Sequence, residues 1–545
     1  MNIALALFQA AMLWSLQQAV SAASWPATSP GLLTALFLVF LWVPPVVLML
    51  WKHQRQTVLW KASGSLAIFL ALAGYVAFRD FPVPFQPGEL TDIETARFIF
   101  PLLLGWLLLL SLLRARLEGG LWYPAYPVLF RSVWSSLCTL AEALLFTGFF
   151  WLLLFLWAAL FDILGNPFFK NLFGDARFAY PATTVAFAVA TQVIGASERL
   201  IAGALEQILG LLKWLLPLAG IIVTAFTLAL IPKLPVLIDS GEKILNSAIL
   251  LALVAVTVLL INAAFRDGAT EPDYRPWLKQ ALRVVPVLLT VVAATALYSL
   301  SVRTLELGLT PARYWGLIAA AVAGLFSASY AYAALRSGPW LASIARINTV
   351  LAGILLLTLA VSLTPPGDSL RWSVANQLQR ATAATVAESR VGALSFLRFE
   401  AGRQGQLALE SLAANDSALG RDAKAMLAQN PRKKPEPADP NATPERFDKW
   451  RRSLRTLPEN ASISVKLDIA LRAEFMRSAT TLDPGGNAEA PIIMFNDFNA
   501  DGVADALLIG GTLRGEPKIV RDYRVFVAEA DSWRLASKGS FSRSN

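Results

Sequence analysis

The chain has 545 residues, of which 56% are hydrophobic, 11% aromatic and only 16% charged, whereas soluble domains carry about 25% charged residues. That excludes an ordinary soluble globular protein and points to a polytopic membrane protein. The formal charge of +9 would suggest nucleic acid for a soluble chain, but in a membrane protein Lys and Arg gather in cytoplasmic loops, so no nucleic-acid partner is inferred; one cysteine, Cys138, and one histidine, His53, leave no intramolecular disulfide and no His-rich metal site.

Residues 1–23 open with an apolar stretch followed by Val20-Ser21-Ala22, which resembles a signal-peptide cleavage site. No Lys or Arg precedes the stretch, and Gln9, Gln17 and Gln18 interrupt it, so an uncleaved first helix is the preferred reading. Further apolar spans follow at about 30–51, 62–78, 97–113, 137–161, 179–197, 211–231, 244–265, 281–301, 313–335 and 343–363, making about 11 transmembrane helices. The clearest is the uncharged run from Ala143 to Phe161, since a helix rises about 1.5 Å per residue and about 20 apolar residues cross the hydrocarbon core. The weakest is 179–197, where Thr183, Thr184, Thr191 and Gln192 lower the hydropathy and a re-entrant segment is the alternative. Between it and the next span, residues 197–212 carry charges at helical spacing and read either as a surface helix or as an extension of the following one.

Loop charges test the count. With the N-terminus cytoplasmic, the cytoplasmic side holds Lys52, Arg55, Lys61, Arg114, Arg116, Arg131, Arg199, Lys213, Arg266, Arg275, Lys279, Arg283, Arg336 and Arg346. The opposite side holds Arg79, Arg97, Lys170, Arg177, Lys233, Lys243, Arg303 and Arg313, together with acids such as Asp80 and Glu89. The asymmetry agrees with eleven crossings and puts everything after Leu363 outside, in the periplasm of a bacterial inner membrane.

After Thr364-Pro365-Pro366 the composition becomes that of a soluble domain. Residues 364–430, rich in Ala, Leu, Gln and Arg, read as a helical extracytoplasmic segment. Residues 431–461, beginning with a Pro-rich polar stretch, read as a linker. Residues 462–545 read as a small β-rich domain, because ISVKLDI, PIIMF, ALLIGG and YRVFVAEA alternate. The fold class expected is therefore mainly α, a polytopic helical membrane bundle followed by a soluble α+β C-terminal domain.

The segments LWAALFDILGNPFFKNLF, RFAYPATTVAF, INAAFRDG, GLTPARYWGLIAA, INTVLAGILLL and SFLRFEAGRQGQLAL resemble bacterial membrane proteins of domain-of-unknown-function family 4153. The resemblance covers most of the chain and is clearest from about 140 to 410. It implies a multi-helix inner-membrane protein with a soluble C-terminal extension, and no site residues.

Three constellations carry chemistry. NDFNADGVADALLI places Asp497, Asn499, Asp501, Gly502 and Asp505 in D-x-N-x-D-G-x-x-D spacing, which turns hard oxygens, with the Val503 carbonyl, toward one Ca²⁺. The position that in an EF-hand is a bidentate Glu is Leu508, and an Asx-rich hairpin turn is the alternative. Glu142 lies near the start of the fifth span, where an ionisable group is a candidate intramembrane site, with headgroup contact the plainer account. The loop FRDGATEPDYRPW concentrates Arg266, Asp267, Glu271, Asp273 and Arg275, whose paired carboxylates could serve acid/base or metal chemistry, with a solvated mixed-sign loop the preferred reading.

No catalytic residue is assigned. The leading expectation is a non-enzymatic protein, transporter-like or an envelope scaffold, with membrane lipids and a periplasmic protein as partners. Transport would need a polar midplane, for which Gln9, Gln17, Glu142, Gln192 and Asn262 are candidates, and broken helices at Pro44-Pro45, Pro217 or Pro286. The rival class is a membrane-embedded enzyme acting on a lipid-linked substrate, with a carboxylate at a membrane face.

Overall fold

The structure is a computed structural model that describes residues 2–79, 81, 92–195, 198–233, 246–268, 272–336, 341, 343–383, 387–415, 417–429, 444–459, 461–483, 490–498, 503–510, 518–528 and 533–544. Two compact units divide it, Met1–Pro431 and Arg432–Asn545.

The first unit is built on long apolar helices, because a segment in hydrocarbon must satisfy its own backbone polar groups and a helix does so internally. In chain order these are α1 (Asn2–Ser21), α2 (Pro30–Met49), α3 (Thr57–Phe78), α4 (Asp92–Gly119), α5 (Tyr126–Ile163), a short α6 (Phe168–Gly174), α7 (Ala176–Gly195), α8 (Glu198–Leu230), α9 (Ser247–Phe265), α10 (Pro276–Leu307), α11 (Pro311–Leu335) and α12 (Ile344–Ser362). Ten of them are long and apolar enough to cross a membrane among the described residues. The chain is a multi-pass helical membrane protein. Proline in the first turn starts α2, α5, α10 and α11, where its missing N–H removes nothing. Asn246 and Thr310 cap α9 and α11 by accepting Ala248 N and Arg313 N.

Helix α7, the span weakest by sequence, is, among the described residues of the first unit, the one membrane-length helix outside those ten. It runs antiparallel beside α1: the Arg177 guanidinium lies over the Trp14 ring, and further along α7, Ala188 packs with Ala6 and Leu48. Its threonine hydroxyls are absorbed locally, since Thr183, Thr184 and Thr191 donate to carbonyls one turn back. With α7 counted, the alternation places α1's start and the segment after Leu363 at opposite ends of the bundle. Contacts between helix ends agree. Gln56 Nε2 donates to Leu117 O at 3.2 Å at one end of α4, while Phe100, toward the other end of α4, packs edge-on against Trp315, whose neighbour Tyr314 donates its OH to Gly367 O at 3.0 Å.

Residues 197–212 are not a separate surface helix where they are described, because α8 is continuous from Glu198. At 38 and 33 residues, α5 and α8 measure about 57 and 50 Å, well beyond a hydrocarbon core of about 30 Å. Their extra turns account for the starts of the fifth and seventh spans lying earlier than hydropathy alone indicates.

Four shorter helices, α13 (Ser369–Ala383), α14 (Ala387–Phe399), α15 (Gly402–Ala413) and α16 (Ala418–Leu427), follow as expected. Leu370, Leu394, Leu397, Leu409 and Ala423 form their own core. Asn376 and Gln377 of α13 fasten them to the turn after α10: Leu309 N donates to Asn376 Oδ1 at 2.8 Å, and Gln377 Nε2 donates to Leu309 O at 3.1 Å. Gly308 makes the turn at φ +80°, and a side chain there would overlap Gln377 and Arg380.

The second unit comprises α17 (Pro444–Ser453), β1 (Arg455–Leu457), α18 (Val465–Leu482), β2 (Ile492–Asn496), β3 (Asp505–Ile509), β4 (Lys518–Ala528) and β5 (Trp533–Ser544). Its sheet order is β1-β2-β3-β4-β5, with β1 parallel to β2 and the rest an antiparallel meander. Two expectations are corrected here. The linker assigned to 431–461 contains α17 and β1, with only its residues 431–443 and 460 lying outside the described residues. ISVKLDI, expected to be a strand, enters α18: Ser464 caps it by accepting Leu467 N, and the apolar series continues at helical spacing through Leu467, Leu471, Phe475, Ala479 and Leu482, all fully buried. Seven alternating residues were outweighed by that longer period. IIMF, ALLI and YRVFVA, the described cores of the other three stretches, lie in β2, β3 and β4 as expected.

Candidate functional site

Helices α1, α2, α5 and α7 leave a cleft of about 520 Å³ between them, at the depth of the spans. Its polar lining is Gln9, Gln17, Thr147, Tyr180, Thr183 and Thr184; Leu13, Leu41, Pro45, Leu144 and Phe187 supply the apolar part. None of the lining residues is Asp, Glu, Lys, Arg or His. The three threonine hydroxyls donate to carbonyls of their own helices, which leaves the two glutamine amides and the Tyr180 hydroxyl as the adaptable hydrogen-bonding groups. Such a lining can hydrogen-bond a neutral group, worth about 0.5–1.5 kcal/mol net per bond. It offers no countercharge to an ion, whose desolvation costs several kcal/mol.

Of the residues expected at a polar midplane, Gln9 and Gln17 meet in this cleft. Gln192 is exposed and lines none of it. Glu142 is half-buried on α5, sixteen residues from Tyr126, and it is not a lining residue although Leu144 and Thr147 of the same helix are. Asn262 belongs to a different constellation.

The prolines do not break their helices. Pro44, Pro45, Pro217 and Pro286 all lie inside continuous ones, although each lacks the N–H that would bond the carbonyl four residues back. For two of them a side chain from elsewhere answers that carbonyl. Pro45 frees Leu41 O, and Gln9 Nε2 donates to it at 3.5 Å. Pro217 frees Lys213 O, and the hydroxyl of Tyr274 donates to it. Tyr274 therefore turns the loop before α10 into a staple on α8, helped by Lys213 Nζ, 3.6 Å from Asp273. Burial pushes the Tyr274 phenol up to about 12, so it keeps this proton at any physiological pH. Tyr274→Phe should destabilise the bundle by about 1–3 kcal/mol, the cost of an unpaired buried acceptor. Adding Pro217→Ala should restore most of that, because an N–H at 217 re-forms the helical bond. Melting temperatures of the detergent-solubilised protein check this, and additive losses in the double variant would refute the staple.

A closed polar ring joins three helices where α9 ends. Asn262 Nδ2 donates to Tyr330 OH at 2.7 Å, Tyr330 OH donates to Asn348 Oδ1 at 2.6 Å, and Asn348 Nδ2 donates to Asn262 Oδ1 at 2.6 Å. Tyr126 OH of α5 approaches Asn262 Oδ1 at 3.4 Å. The surroundings are apolar, since Tyr330 belongs to the same buried cluster as Leu260, Ile261, Phe265, Leu341 and Ile344. In sequence only Asn262 stood out; the ring is a product of four helices converging.

In the loop FRDGATEPDYRPW the described charges are largely solvated, with the Asp273 side chain 90% exposed, while Tyr274 is buried. Arg266 NH1 lies 4.0 Å from Glu206 of α8; Glu271 lies outside the described residues. In the second unit, Asn499, Asp501 and Gly502 of the expected calcium loop also lie outside the described residues, while Asp497 and Val503 flank them between β2 and β3. Asp505 is fully buried, and both its oxygens accept backbone amides, Phe498 N and Ala528 N, each at 3.1 Å. It closes the β2–β3 turn and ties it to the end of β4. Among the described residues no group of three or more His, Cys, Asp or Glu is placed to hold a metal.

No family model, curated protein or solved structure matches the chain.

Proposed function

We propose that the protein is a transporter-like component of a bacterial inner membrane that binds its ligand in the cleft between α1, α2, α5 and α7. The observation that carries this is the uncharged polar lining of that cleft at the depth of the spans. The N-terminus is cytoplasmic and the C-terminal unit periplasmic, supported by the basic residues of the loops at the α2–α3, α4–α5 and α9–α10 ends. There the outer unit engages envelope partners. Membership of domain-of-unknown-function family 4153 is part of the same proposal and rests on the segments quoted above.

Two measurements test it. Reporters fused after Leu363 should be active as periplasmic fusions and inactive as cytoplasmic ones; the reverse pattern overturns the orientation. Thr183→Trp fills the cleft from an exposed position, so it should accumulate normally and fail to complement a deletion strain. Full complementation would leave only a scaffold role.

The outer unit is further proposed to bind Ca²⁺ through Asp497, Asn499, Asp501 and the Val503 carbonyl, with Asp505 anchoring the loop by its backbone bonds. Weak affinity, of the order of 10⁻⁴–10⁻³ M, suits a loop without a bidentate Glu. At 100 times its Kd, calcium stabilises by about 2.7 kcal/mol, so melts with calcium and with chelator should separate by several degrees. Asp501→Ala should abolish the separation, and identical wild-type melts would leave a hairpin turn.

A further inference from the structure

We infer that the ligand of this cleft is an uncharged membrane lipid, which enters sideways from the hydrocarbon and is held by a neutral hydroxyl, ester or amide at Gln9 and Gln17. The inference rests on the proposed binding role of the cleft and names its ligand class.

Three observations carry it. The first is where the cleft opens. Leu41 and Leu144 on its margin are 46% and 57% exposed, and Thr183 is exposed too. All three sit well inside their helices, so what they face at that depth is lipid tails, and a ligand arriving through that mouth has already partitioned into the bilayer. Next to the mouth, α5 presents Leu145, Phe149, Leu152, Leu153 and Leu156, each more than half exposed, a continuous apolar approach for a hydrocarbon chain.

The second is charge. A phosphate headgroup inside the cleft would need a cation, and the lining has none. Arg177 is next to the lining residue Ala176, but its guanidinium lies over the Trp14 ring, 6.0 Å from the centroid, and it is not part of the lining. A neutral headgroup is admitted where a charged one is not.

The third is unspent hydrogen-bonding capacity. Gln17 Oε1 is covered by protein atoms and has no hydrogen-bond partner there, so turning this amide toward the cleft breaks no bond at that oxygen. Gln9 reaches Leu41 O only at 3.5 Å, the long limit of a hydrogen bond. Two amides held this loosely in an apolar wall suit a ligand that is mostly hydrocarbon with one or two neutral polar groups, and a volume of about 520 Å³ falls within the range of small-molecule sites.

The test uses the full-length protein in lipid nanodiscs doped with a photoreactive diacylglycerol or with a photoreactive phosphatidic acid bearing the same chains. After irradiation, labelled residues are mapped by peptide mass spectrometry. Diacylglycerol should label cleft residues of α1 and α7 at least tenfold more than phosphatidic acid, and unlabelled diacylglycerol should compete. Thr183→Trp should remove that labelling and leave labelling of the outer face of α5 unchanged. Should Thr183→Trp fail to accumulate, Leu144→Trp closes the mouth from α5. Equal labelling by both lipids, or labelling that a filled cleft does not reduce, overturns the inference. Failed complementation by Thr183→Trp without any lipid label in the wild-type cleft keeps the transporter-like reading and removes the lipid; a cleft-specific label with full complementation does the reverse.

Discussion

Arg524→Met should lower the melting temperature of the C-terminal unit by about 10–20 °C. Arg524 on β4 and Glu474 on α18 are 5% and 2% exposed, and Arg524 Nε donates to Glu474 Oε1 at 2.9 Å. Arg524 also donates to Tyr523 O, and Ser478 donates to the same Glu474 oxygen, so the charges are supported on both sides. Breaking a buried pair by removing one partner costs about 3–5 kcal/mol, since the other charge stays behind uncompensated. A domain of this size shifts by roughly 4 °C or more per kcal/mol. The double variant Glu474→Leu/Arg524→Met leaves no charge behind and should melt near the wild type, because apolar replacement of a whole buried pair is commonly neutral or stabilising. Circular-dichroism melts of residues 432–545 provide the comparison. A single variant that melts within a few degrees of the wild type would show that Glu474 finds water or another donor.

The same pair explains a limit of reading this unit from its sequence. Glu474 lies in a stretch that looks like an ordinary polar helix face, and Arg524 alternates with Tyr523 and Val525 on a strand. Which of those faces is covered depends on α18 packing across the sheet, a contact spanning fifty residues. The strands β2, β3 and β4 were legible because each alternates between turn-forming residues. Strand β5 was not, because SKGSFSRS has few apolar residues and is recruited by pairing with β4, Tyr523 opposite Gly539 and Val525 opposite Ser537.

In the bundle the spans were legible for a simple reason: hydrocarbon imposes one length and one composition on every crossing. Exceptions arise where the chain departs from that composition. Helix α7 trades hydropathy for threonines that line the cleft, so the feature that made it the weakest span is what makes it part of the candidate site. Pro217 could be identified in sequence as freeing the carbonyl of Lys213, but not that Tyr274, 61 residues away, would answer it. Glu142 shows the converse. A lone carboxylate in an apolar window attracts attention, yet the helix turns it away from the cleft that its neighbours Leu144 and Thr147 line.

Asn262→Leu should cost the bundle more stability than removing the whole polar ring of which Asn262 is part. Leucine nearly matches asparagine in size, so the substitution makes little cavity and isolates the polar loss. Asn348 Nδ2 and Tyr126 OH would lose their acceptor, and Tyr330 OH would lose its donor. Each buried group left unsatisfied costs about 1–3 kcal/mol. Side-chain hydrogen bonds between membrane helices measure less, about 0.6 kcal/mol on average, because unfolded helices in lipid still find partners. Three affected groups therefore set an expectation of about 2–3 kcal/mol, and much of it should appear as lower abundance. Combining Asn262→Leu with Tyr330→Phe, Asn348→Leu and Tyr126→Phe removes every donor and acceptor of the ring together. No orphan remains in that variant, and its melting temperature in detergent should recover most of the way to the wild type. If the quadruple variant is instead less stable than Asn262→Leu alone, the ring contributes net binding between α5, α9, α11 and α12 that apolar packing does not replace.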